Sequence, residues 1–320
     1  MKKSILVLVT TLVVAMTVYA ASSGPAGAAG TDTSCADGTP TTARNVPYVD
    51  DPVSPLQQLD VDGFEPTKGC GPAPVVIWVH GGGWRAGDKR NEPDKAELFN
   101  RLGYVFVSVN YRLSNPPGAA SRPIHPAHAQ DVGAAVAWVE EHIAEYGGDG
   151  HELAFLGHSA GGHLVSLVGT DPSYVEDAGG DAAALRCVIS NDTEGYDLVE
   201  RSASSEVGRR LVANAFGPDP AAYPGASPIN HVGDRDEPVD LLVITRGTPR
   251  RIAAARAFAT AAEDAGSAVD VLEATGLTHS DVNHLIGTDG DTVITPAVTS
   301  FLERCLPTGG RSVSRSLPTG

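Results

Sequence analysis

Basic residues are scarce in this sequence of 320 residues, where 23 lysines and arginines stand against 39 aspartates and glutamates. The formal net charge is −16 at pH 7. A chain of this charge is repelled by phosphate backbones, because binding to nucleic acid depends on lysine and arginine. We therefore expect no nucleic-acid partner.

Long apolar runs are also missing after the first 20 residues. Residues 1–20 combine Lys2 and Lys3 with an apolar stretch over residues 5–18 and small or tolerated residues up to Ala20, which is the three-part pattern of a cleavable secretory signal. About 14 apolar residues fall short of the roughly 20 that a membrane-spanning helix requires. The sequence predicts an exported protein without a membrane anchor, whose mature chain begins near Ala21.

Cysteine is rare, and none of the four cysteines has the C-x-x-C spacing of a zinc or redox site. An exported chain with four cysteines favours two disulfides, for which three pairings are possible. We favour Cys35 with Cys70 and Cys187 with Cys305, because the first two precede the core and the last two lie in late core elements. Buried free thiols are the alternative.

Two segments have no apolar periodicity that could bury a face. Residues 21–46 are rich in Ala, Gly, Ser and Thr and predict a flexible leader. Residues 307–320 are polar and glycine-rich and predict a disordered tail. Residues 47–306 remain, enough for one large domain.

Within this domain, short runs of Val, Ile and Leu alternate with stretches of helical periodicity. The runs are too short for buried helices and predict strands of a buried parallel sheet. The predicted strands cover residues 75–79, 104–109, 153–156, 187–189, 239–244 and 269–272, and the predicted helices cover residues 128–146, 250–265 and 292–305. This alternation implies an α/β fold with helices on both faces of an open sheet.

Residues 157–161 read Gly-His-Ser-Ala-Gly and directly follow one of these strands. A serine at a sharp strand-to-helix turn has an exposed hydroxyl, and the glycines are needed because a Cβ there would collide with neighbouring backbone. The pentapeptide alone is a weak signal, but its position between a strand and a helix predicts a nucleophile elbow at Ser159.

Residues 80–84 read His-Gly-Gly-Gly-Trp and follow the first predicted strand. Successive glycines let backbone N–H groups point into a pocket, as an anionic tetrahedral intermediate requires. A phosphate-binding loop is disfavoured, because neither G-x-G-x-x-G nor a G-K-[ST] ending is present. His80 is expected to hold this loop by hydrogen bonding rather than to act as a base.

Acyl transfer also requires a base, which in this chain order follows the last strand. His279 lies in a loop there, whereas His284 is predicted on a short helix that leads away. A metal site formed by His279, Asp281 and His284 would lack its remaining ligands. Four other histidines near the motifs are predicted to be structural or pocket-lining, namely His125, His128, His158 and His163.

Taken together, these motifs resemble the α/β-hydrolase-fold esterases of the hormone-sensitive-lipase-like group. The likeness extends from about residue 75 to residue 306 and includes the runs at 80–84, 110–113, 125–126, 146–149, 157–162, 216–218, 227–229 and 278–279, with Asp131. It implies hydrolysis of carboxylic esters with Ser159 as nucleophile and His279 as base. It also implies an oxyanion hole made by the backbone N–H groups of Gly82, Gly83 and Ala160.

The sequence departs from this family in the acid of the triad. Members usually carry it after the strand at 241–244, but here residues 245–251 read Thr-Arg-Gly-Thr-Pro-Arg-Arg. Some lipases of this fold take the acid from the end of the preceding strand, and Asp192 follows that strand here. The chain order Ser159, Asp192, His279 satisfies the rule of the fold. Glu194 is an alternative, as is Asp197, which is expected instead to begin a cap structurally.

Residues 195–236 lie between strands six and seven and predict a small cap over the site. The candidates for the substrate pocket are Trp84, Tyr111, His158 and Tyr196. The alternative for the tryptophan and the two tyrosines is that they pack in the core.

The sequence thus predicts a secreted serine carboxylesterase on an α/β-hydrolase fold. The expected substrates are small to medium acyl esters, free or linked to a polysaccharide, and no metal or organic cofactor is required. An arylformamidase or other amidase with the same residues, and a catalytically silent binding module, are the alternatives.

Overall fold

The computed structural model describes Cys35, residues 38–114 and residues 122–308. The predicted signal at 1–20, most of the predicted leader and all but the first two residues of the predicted tail lie outside this part of the chain.

One sheet of eight strands organises the described residues, in the order β1-β2-β4-β3-β5-β6-β7-β8. The strands are β1 (Pro40–Pro47), β2 (Gln58–Phe64), β3 (Ala73–Val79), β4 (Val105–Val109), β5 (Gly148–His158), β6 (Leu185–Asn191), β7 (Asp240–Thr245) and β8 (Val269–Glu273). The first two pairings, β1 with β2 and β2 with β4, are antiparallel, and all others are parallel. The parallel strands end at one edge of the sheet, where an α/β protein binds its ligands.

Nine α-helices connect and flank the strands in the described part of the chain. They are α1 (Pro93–Arg101), α2 (Ala127–His142), α3 (Ala160–Thr170), α4 (Ser173–Glu176), α5 (Leu198–Ser204), α6 (Glu206–Phe216), α7 (Pro249–Asp264), α8 (Asp281–His284) and α9 (Ile294–Cys305). The helix predicted at 128–146 ends as a short 3-10 turn over Ile143–Tyr146.

Side chains from both faces of the sheet are buried, and the alternation along β3 illustrates why. Val75 and Ile77 belong to a core that contains residues of α2, α3 and α7, whereas Val76 and Trp78 belong to a second core with residues of α1 and α9. A strand that is covered on both faces needs a continuous apolar run rather than an alternating one. The prediction of an α/β sheet with helices on both faces is confirmed.

The N-terminal edge of the sheet differs from the expectation of a leader that reaches residue 46. Residues from Pro40 onwards form β1, which pairs with β2 through an irregular register between Ala43 and Val46. Five of the eight residues of β1 are exposed. An edge strand of this kind needs no apolar alternation, so its sequence lacks the pattern that marks a buried strand.

Two disulfides join the four cysteines in the pairing that the sequence favours. Cys35 bonds to Cys70 near β1 and β2, and Cys187 in β6 bonds to Cys305 at the end of α9. The second bridge fastens the last helix to a central strand.

The segment between β6 and β7, which contains the predicted cap at 195–236, is helical. It contains α5, α6 and three short 3-10 turns. Gly83 lies against this segment, since a Cβ added to it would meet Leu211 of α6 at 3.4 Å. Within the described ranges, no helix is both long and apolar enough to cross a bilayer.

Candidate active site

Ser159 occupies a tight turn between β5 and α3. Its φ of 56° and ψ of −116° are rare for a residue with a side chain, so the surrounding contacts must hold this conformation. A Cβ on Gly157 would lie 2.4 Å from the carbonyl oxygen of Gly161, and a Cβ on Gly161 would lie 2.0 Å from that of Val79. Both glycines of the motif are therefore sterically required, as expected of a nucleophile elbow.

His279 reaches this serine from the loop between β8 and α8. Its Nε2 atom lies 2.9 Å from the Oγ atom of Ser159. The imidazole side chain is 44% exposed, so the side of the site that it borders is open to solvent. This geometry allows the imidazole to accept the serine proton.

His158 precedes the serine and supports the loop that carries His279. Its Nε2 atom lies 2.9 Å from the carbonyl oxygen of His279, and the two rings lie 4.5 Å apart between centroids. Burial lowers the pKa of His158 to about 3, and the neighbouring His279 acts in the same direction. A neutral His158 donates from Nε2 to that carbonyl, which fixes its tautomer.

Asp192 completes a chain of hydrogen bonds, with its Oδ2 atom 2.6 Å from Nδ1 of His279. It directly follows β6, and its backbone N–H donates to the carbonyl oxygen of Ile244 at 2.8 Å. Its φ of 52° is a second unusual value at this site. Burial opposes ionisation of Asp192, but the hydrogen bond from His279 and the charge of Arg251 outweigh it and lower its pKa. The carboxylate is therefore ionised at neutral pH.

Neither alternative acid contacts His279. Glu194 forms ion pairs with Arg201 at 2.9 Å and with Arg251 at 2.6 Å. Asp197 is the N-cap of α5, where its Oδ1 atom accepts the N–H of Glu200 at 3.0 Å. Asp197 thus begins the helical segment, as the sequence suggests.

The glycine loop after β3 presents free backbone N–H groups beside the serine. Gly82 and Gly83 have φ values of 116° and 62°, which only glycine adopts readily. A Cβ on Gly81 would lie 3.1 Å from the Cβ of Ser159, so the loop borders the elbow. In the described part of the chain, the N–H groups of Gly82, Gly83 and Ala160 donate to no protein acceptor. Free N–H donors in a loop that borders the nucleophile, and in the residue that follows it, suit a developing oxyanion.

His80 supports the glycine loop from below. Its Nδ1 atom lies 2.7 Å from the carbonyl oxygen of Gly81, and its ring stacks on Tyr111 with centroids 4.4 Å apart. Burial lowers the pKa of His80 to about 4. The side chain is therefore neutral and holds the loop, in agreement with the expectation that it is not the base.

Three of the four candidates for the substrate pocket are buried instead in the interior. Tyr111 is fully buried and donates its hydroxyl proton to the carbonyl oxygen of His80 at 3.1 Å. Tyr196 is equally buried and stacks on Phe258. Trp84 is 6% exposed and packs edge-on against His163. Of the four candidates, only His158 contacts the triad. The sequence pattern does not distinguish an aromatic residue that lines the site from one that packs beneath it, which explains the placement of the other three.

The described residues contain no group of three or more His, Cys, Asp and Glu side chains that could hold a metal ion. Asp281 instead accepts the N–H of Thr278 at 2.8 Å, and His284 Nδ1 pairs with the hydroxyl of Ser280 at 2.7 Å. Both side chains are thus used within their own short helix and its preceding turn.

Sequence reasoning misses two arginines that bind Asp192. Arg246 Nε lies 2.7 Å from Oδ2, and Arg251 Nη2 lies 2.5 Å from Oδ1. Both come from the Thr-Arg-Gly-Thr-Pro-Arg-Arg run in which the usual acid is absent. The run shows two basic residues but carries no signal of which carboxylate they bind, because that depends on the pairing of β6 with β7.

Comparisons with known proteins agree with this architecture. The family model named BD-FAE matches residues 60–249, more than half of the chain. Esterase LipQ of Mycobacterium tuberculosis is 34% identical over 208 residues, which cover 61% of this chain and 47% of LipQ. Esterase LipC of the same organism is 34% identical over 217 residues, which cover 62% of this chain and 49% of LipC. The chain thus spans about half the length of these relatives.

A solved structure described as a truncated carbohydrate esterase from gut microbiota superposes with a TM-score of 0.65. The two chains are 21% identical, and the superposition covers 82% of this chain and 95% of the other. This likeness concerns the fold alone. The family model covers more than half of the chain, and the sheet topology is that of an α/β-hydrolase fold. The chain belongs to the BD-FAE family.

Proposed function

We propose that this chain is a secreted serine carboxylesterase that hydrolyses small to medium acyl esters. The observation that carries the proposal is the continuous chain of hydrogen bonds from Ser159 through His279 to Asp192. The esterase names of LipQ and LipC support the same reaction class.

In the first step, Nε2 of His279 accepts the hydroxyl proton of Ser159 while Oγ attacks the ester carbonyl carbon. The carbonyl oxygen becomes an oxyanion, which accepts hydrogen bonds from the free N–H groups of Gly82, Gly83 and Ala160. One such donor contributes about 3 kcal/mol to the transition state in related chemistry. Ala160 is also the first residue of α3, whose positive N-terminal dipole favours the same charge.

In the second step, the imidazolium of His279 gives its Nε2 proton to the departing alkoxide. The alcohol leaves, and the acyl group remains bonded to Ser159. A water molecule then attacks the acyl carbon while Nε2 of His279 accepts its proton. The bond from the acyl carbon to Oγ breaks, His279 returns the proton to Ser159, and the carboxylic acid is released. Throughout, Asp192 accepts the hydrogen bond from Nδ1–H of His279. This bond fixes the tautomer of His279 and stabilises its imidazolium form.

We assign a cap role to the helical segment between β6 and β7. A Cβ added at Gly83 would lie 3.4 Å from Leu211 of α6, so this segment borders the glycine loop. The side chain of His279, which gives its proton to the leaving alcohol, is 44% exposed. This asymmetry supports a restricted acyl side and an open alcohol side, which suits short acyl groups on alcohols of variable size, including those of a polysaccharide.

Export of the protein is part of the proposal. The N-terminal pattern of residues 1–20 and two disulfides support it, because disulfides persist in oxidising compartments. N-terminal sequencing of protein recovered from the culture medium tests it. A mature chain that begins near Ala21 is expected, and a chain retained in the cells with Met1 intact would contradict export.

The test of the reaction class compares matched p-nitrophenyl esters and p-nitroanilides of acetate and butyrate. We expect ester hydrolysis, with a loss of about six orders of magnitude in kcat for Ser159→Ala, as found when a triad serine is removed. An anilide preference of about tenfold or more, equivalent to about 1.4 kcal/mol in the transition state, would favour an amidase instead.

A further inference from the structure

The Asp192 carboxylate is bound on both oxygens by arginine. Arg251 Nη2 binds Oδ1 at 2.5 Å, and Arg246 Nε binds Oδ2 at 2.7 Å. The same Oδ2 atom accepts from His279 at 2.6 Å. The carboxylate is fully buried, so no solvent relaxes this arrangement. When His279 becomes protonated, it is the third cation around one carboxylate.

Other charges around this group leave Arg246 distinct from Arg251. Arg251 also binds Glu194 at 2.6 Å, which balances its charge. In the described part of the chain, Arg246 has no ion pair other than that with Asp192. Its charge also helps to lower the pKa of Asp281 of α8. Four further charged or titratable groups face the cluster, and Lys95 of α1 acts on one of them. The four are Arg201 of α5, Arg250 of α7, His158 of β5 and the buried Tyr196, and Lys95 acts through His158.

We propose that Arg246 and Arg251 are positioning residues for the base: they hold Asp192 in place toward His279 and limit how far its charge stabilises the imidazolium, so that the enzyme remains active at lower pH. This inference rests on the proposed function. It assigns a role in the active site to Arg246, in the loop after β7, and to Arg251, in the first turn of α7.

The physical argument follows from charge and geometry. A guanidinium bound to the same carboxylate oxygen competes with the imidazolium for negative charge and repels it directly. Loss of Arg246 therefore favours the protonated form of the base, which is inactive. The acid limb of the activity profile must then move to higher pH. Arg251, bound to the other oxygen, prevents rotation of the carboxylate away from His279.

The experiment measures kcat/KM for p-nitrophenyl acetate from about pH 4 to 9 at constant ionic strength. Arg246→Gln removes the charge and retains an amide donor, whereas Arg246→Lys retains the charge. Arg250→Gln is the matched control, because Arg250 lies on the same segment and binds Glu194 and Glu200 but not Asp192. We expect the acid limb of Arg246→Gln to move up by about one pH unit. The acid limb of Arg246→Lys should stay close to that of the wild type, because the charge is retained. Arg250→Gln should match the wild type.

A second readout separates this inference from the proposed function. The titration midpoint of the His279 ring proton, followed by NMR, should move upward in Arg246→Gln and stay unchanged in Arg250→Gln. If the wild type hydrolyses no ester but this midpoint moves, the proposed function fails and the electrostatic role of Arg246 stands. If neither the acid limb nor the midpoint moves, or if Arg250→Gln moves both equally, the inference is wrong. Circular dichroism verifies that each variant is folded.

Discussion

The Nδ1 atom of His279 lies 2.6 Å from the Oδ2 atom of Asp192, although 87 positions separate the two residues in the chain. Asp192 follows β6, and His279 lies in the loop after β8, two strands further along the sheet. Parallel strands bring their carboxyl ends to one edge. A carboxylate at the end of β6 therefore reaches the same imidazole that an acid after β7 would reach.

Asparagine at position 192 should abolish most of the activity without disturbing the backbone. Asp192 has a φ of 52°, and asparagine tolerates this region better than most residues. The amide cannot stabilise the imidazolium, and the wrong tautomer of His279 becomes available. We expect Asp192→Asn to lower kcat by about four orders of magnitude, measured with p-nitrophenyl acetate.

The matched control for this prediction is Asp197→Asn. Asp197 caps α5 and does not contact His279, and asparagine is an equally good cap. Its activity and stability should remain close to those of the wild type. Similar small effects in both variants would mean that another acid serves His279.

Alanine at position 161 should displace the nucleophile. The added Cβ would lie 2.0 Å from the carbonyl oxygen of Val79, which is backbone and cannot move aside cheaply. A displacement of about 1 Å costs about a hundredfold in rate, so Gly161→Ala should lower kcat/KM by at least that factor. Gly225→Ala is the control, because no atom lies within 4 Å of its added Cβ. An active Gly161→Ala variant would argue against a sterically constrained elbow.

Stability should fall in acid partly because His125 is buried in its neutral form. Burial, assisted by the charge of His231, lowers the pKa of His125 to about 4. Between that pH and about 6.5 the unfolded chain binds a proton at this site that the folded chain does not. The contribution of neutral His125 to the unfolding free energy is therefore complete above about pH 6.5. It is lost as the pH falls toward about 4, at about 1.4 kcal/mol per pH unit.

Urea unfolding of His125→Gln and of the wild type across this range measures the contribution. The difference in unfolding free energy between the two should change as the pH falls, in favour of the variant. His151→Gln is the control, since His151 is exposed on β5. A difference for His125→Gln that is constant with pH would refute the buried neutral state.

Removal of the disulfide between Cys187 and Cys305 should destabilise the protein more than removal of the other bridge. Cys187 and Cys305 lie 118 positions apart in the chain, whereas Cys35 and Cys70 lie 35 positions apart. A longer closed loop restricts the unfolded chain more strongly, and loss of a native bridge costs about 2–5 kcal/mol. The paired alanine variants, compared by urea unfolding, should follow this order. The reverse order would mean that native-state contacts dominate.

The sequence predicts the central sheet well because its strands are buried on both faces. Six short apolar runs correspond to β3 through β8, and the glycine and serine motifs follow β3 and β5. β2 was detectable in principle, since Leu59 and Val61 alternate with Asp60 and Asp62. β1 carries little such pattern, because it is an edge strand stabilised by pairing with β2.

The arginine contacts of Asp192 were beyond sequence reasoning. Arg246 and Arg251 lie 54 and 59 positions from Asp192. Their meeting depends on the register of β6 with β7, in which Asn191 pairs with Ile244. Composition and motif spacing carry no information on that register. The same limit explains why Tyr111 and Tyr196 could not be assigned to the interior beforehand.

The most direct test of the central claim is covalent labelling of the wild type with a fluorophosphonate probe, followed by peptide mass spectrometry. Such a probe reacts with a serine that a neighbouring base activates, and it leaves a stable phosphonyl ester. We predict stoichiometric labelling at Ser159 and none in Ser159→Ala or His279→Gln. Folded wild-type protein that remains unlabelled at Ser159, or that is labelled elsewhere while esters are still hydrolysed, would contradict the account.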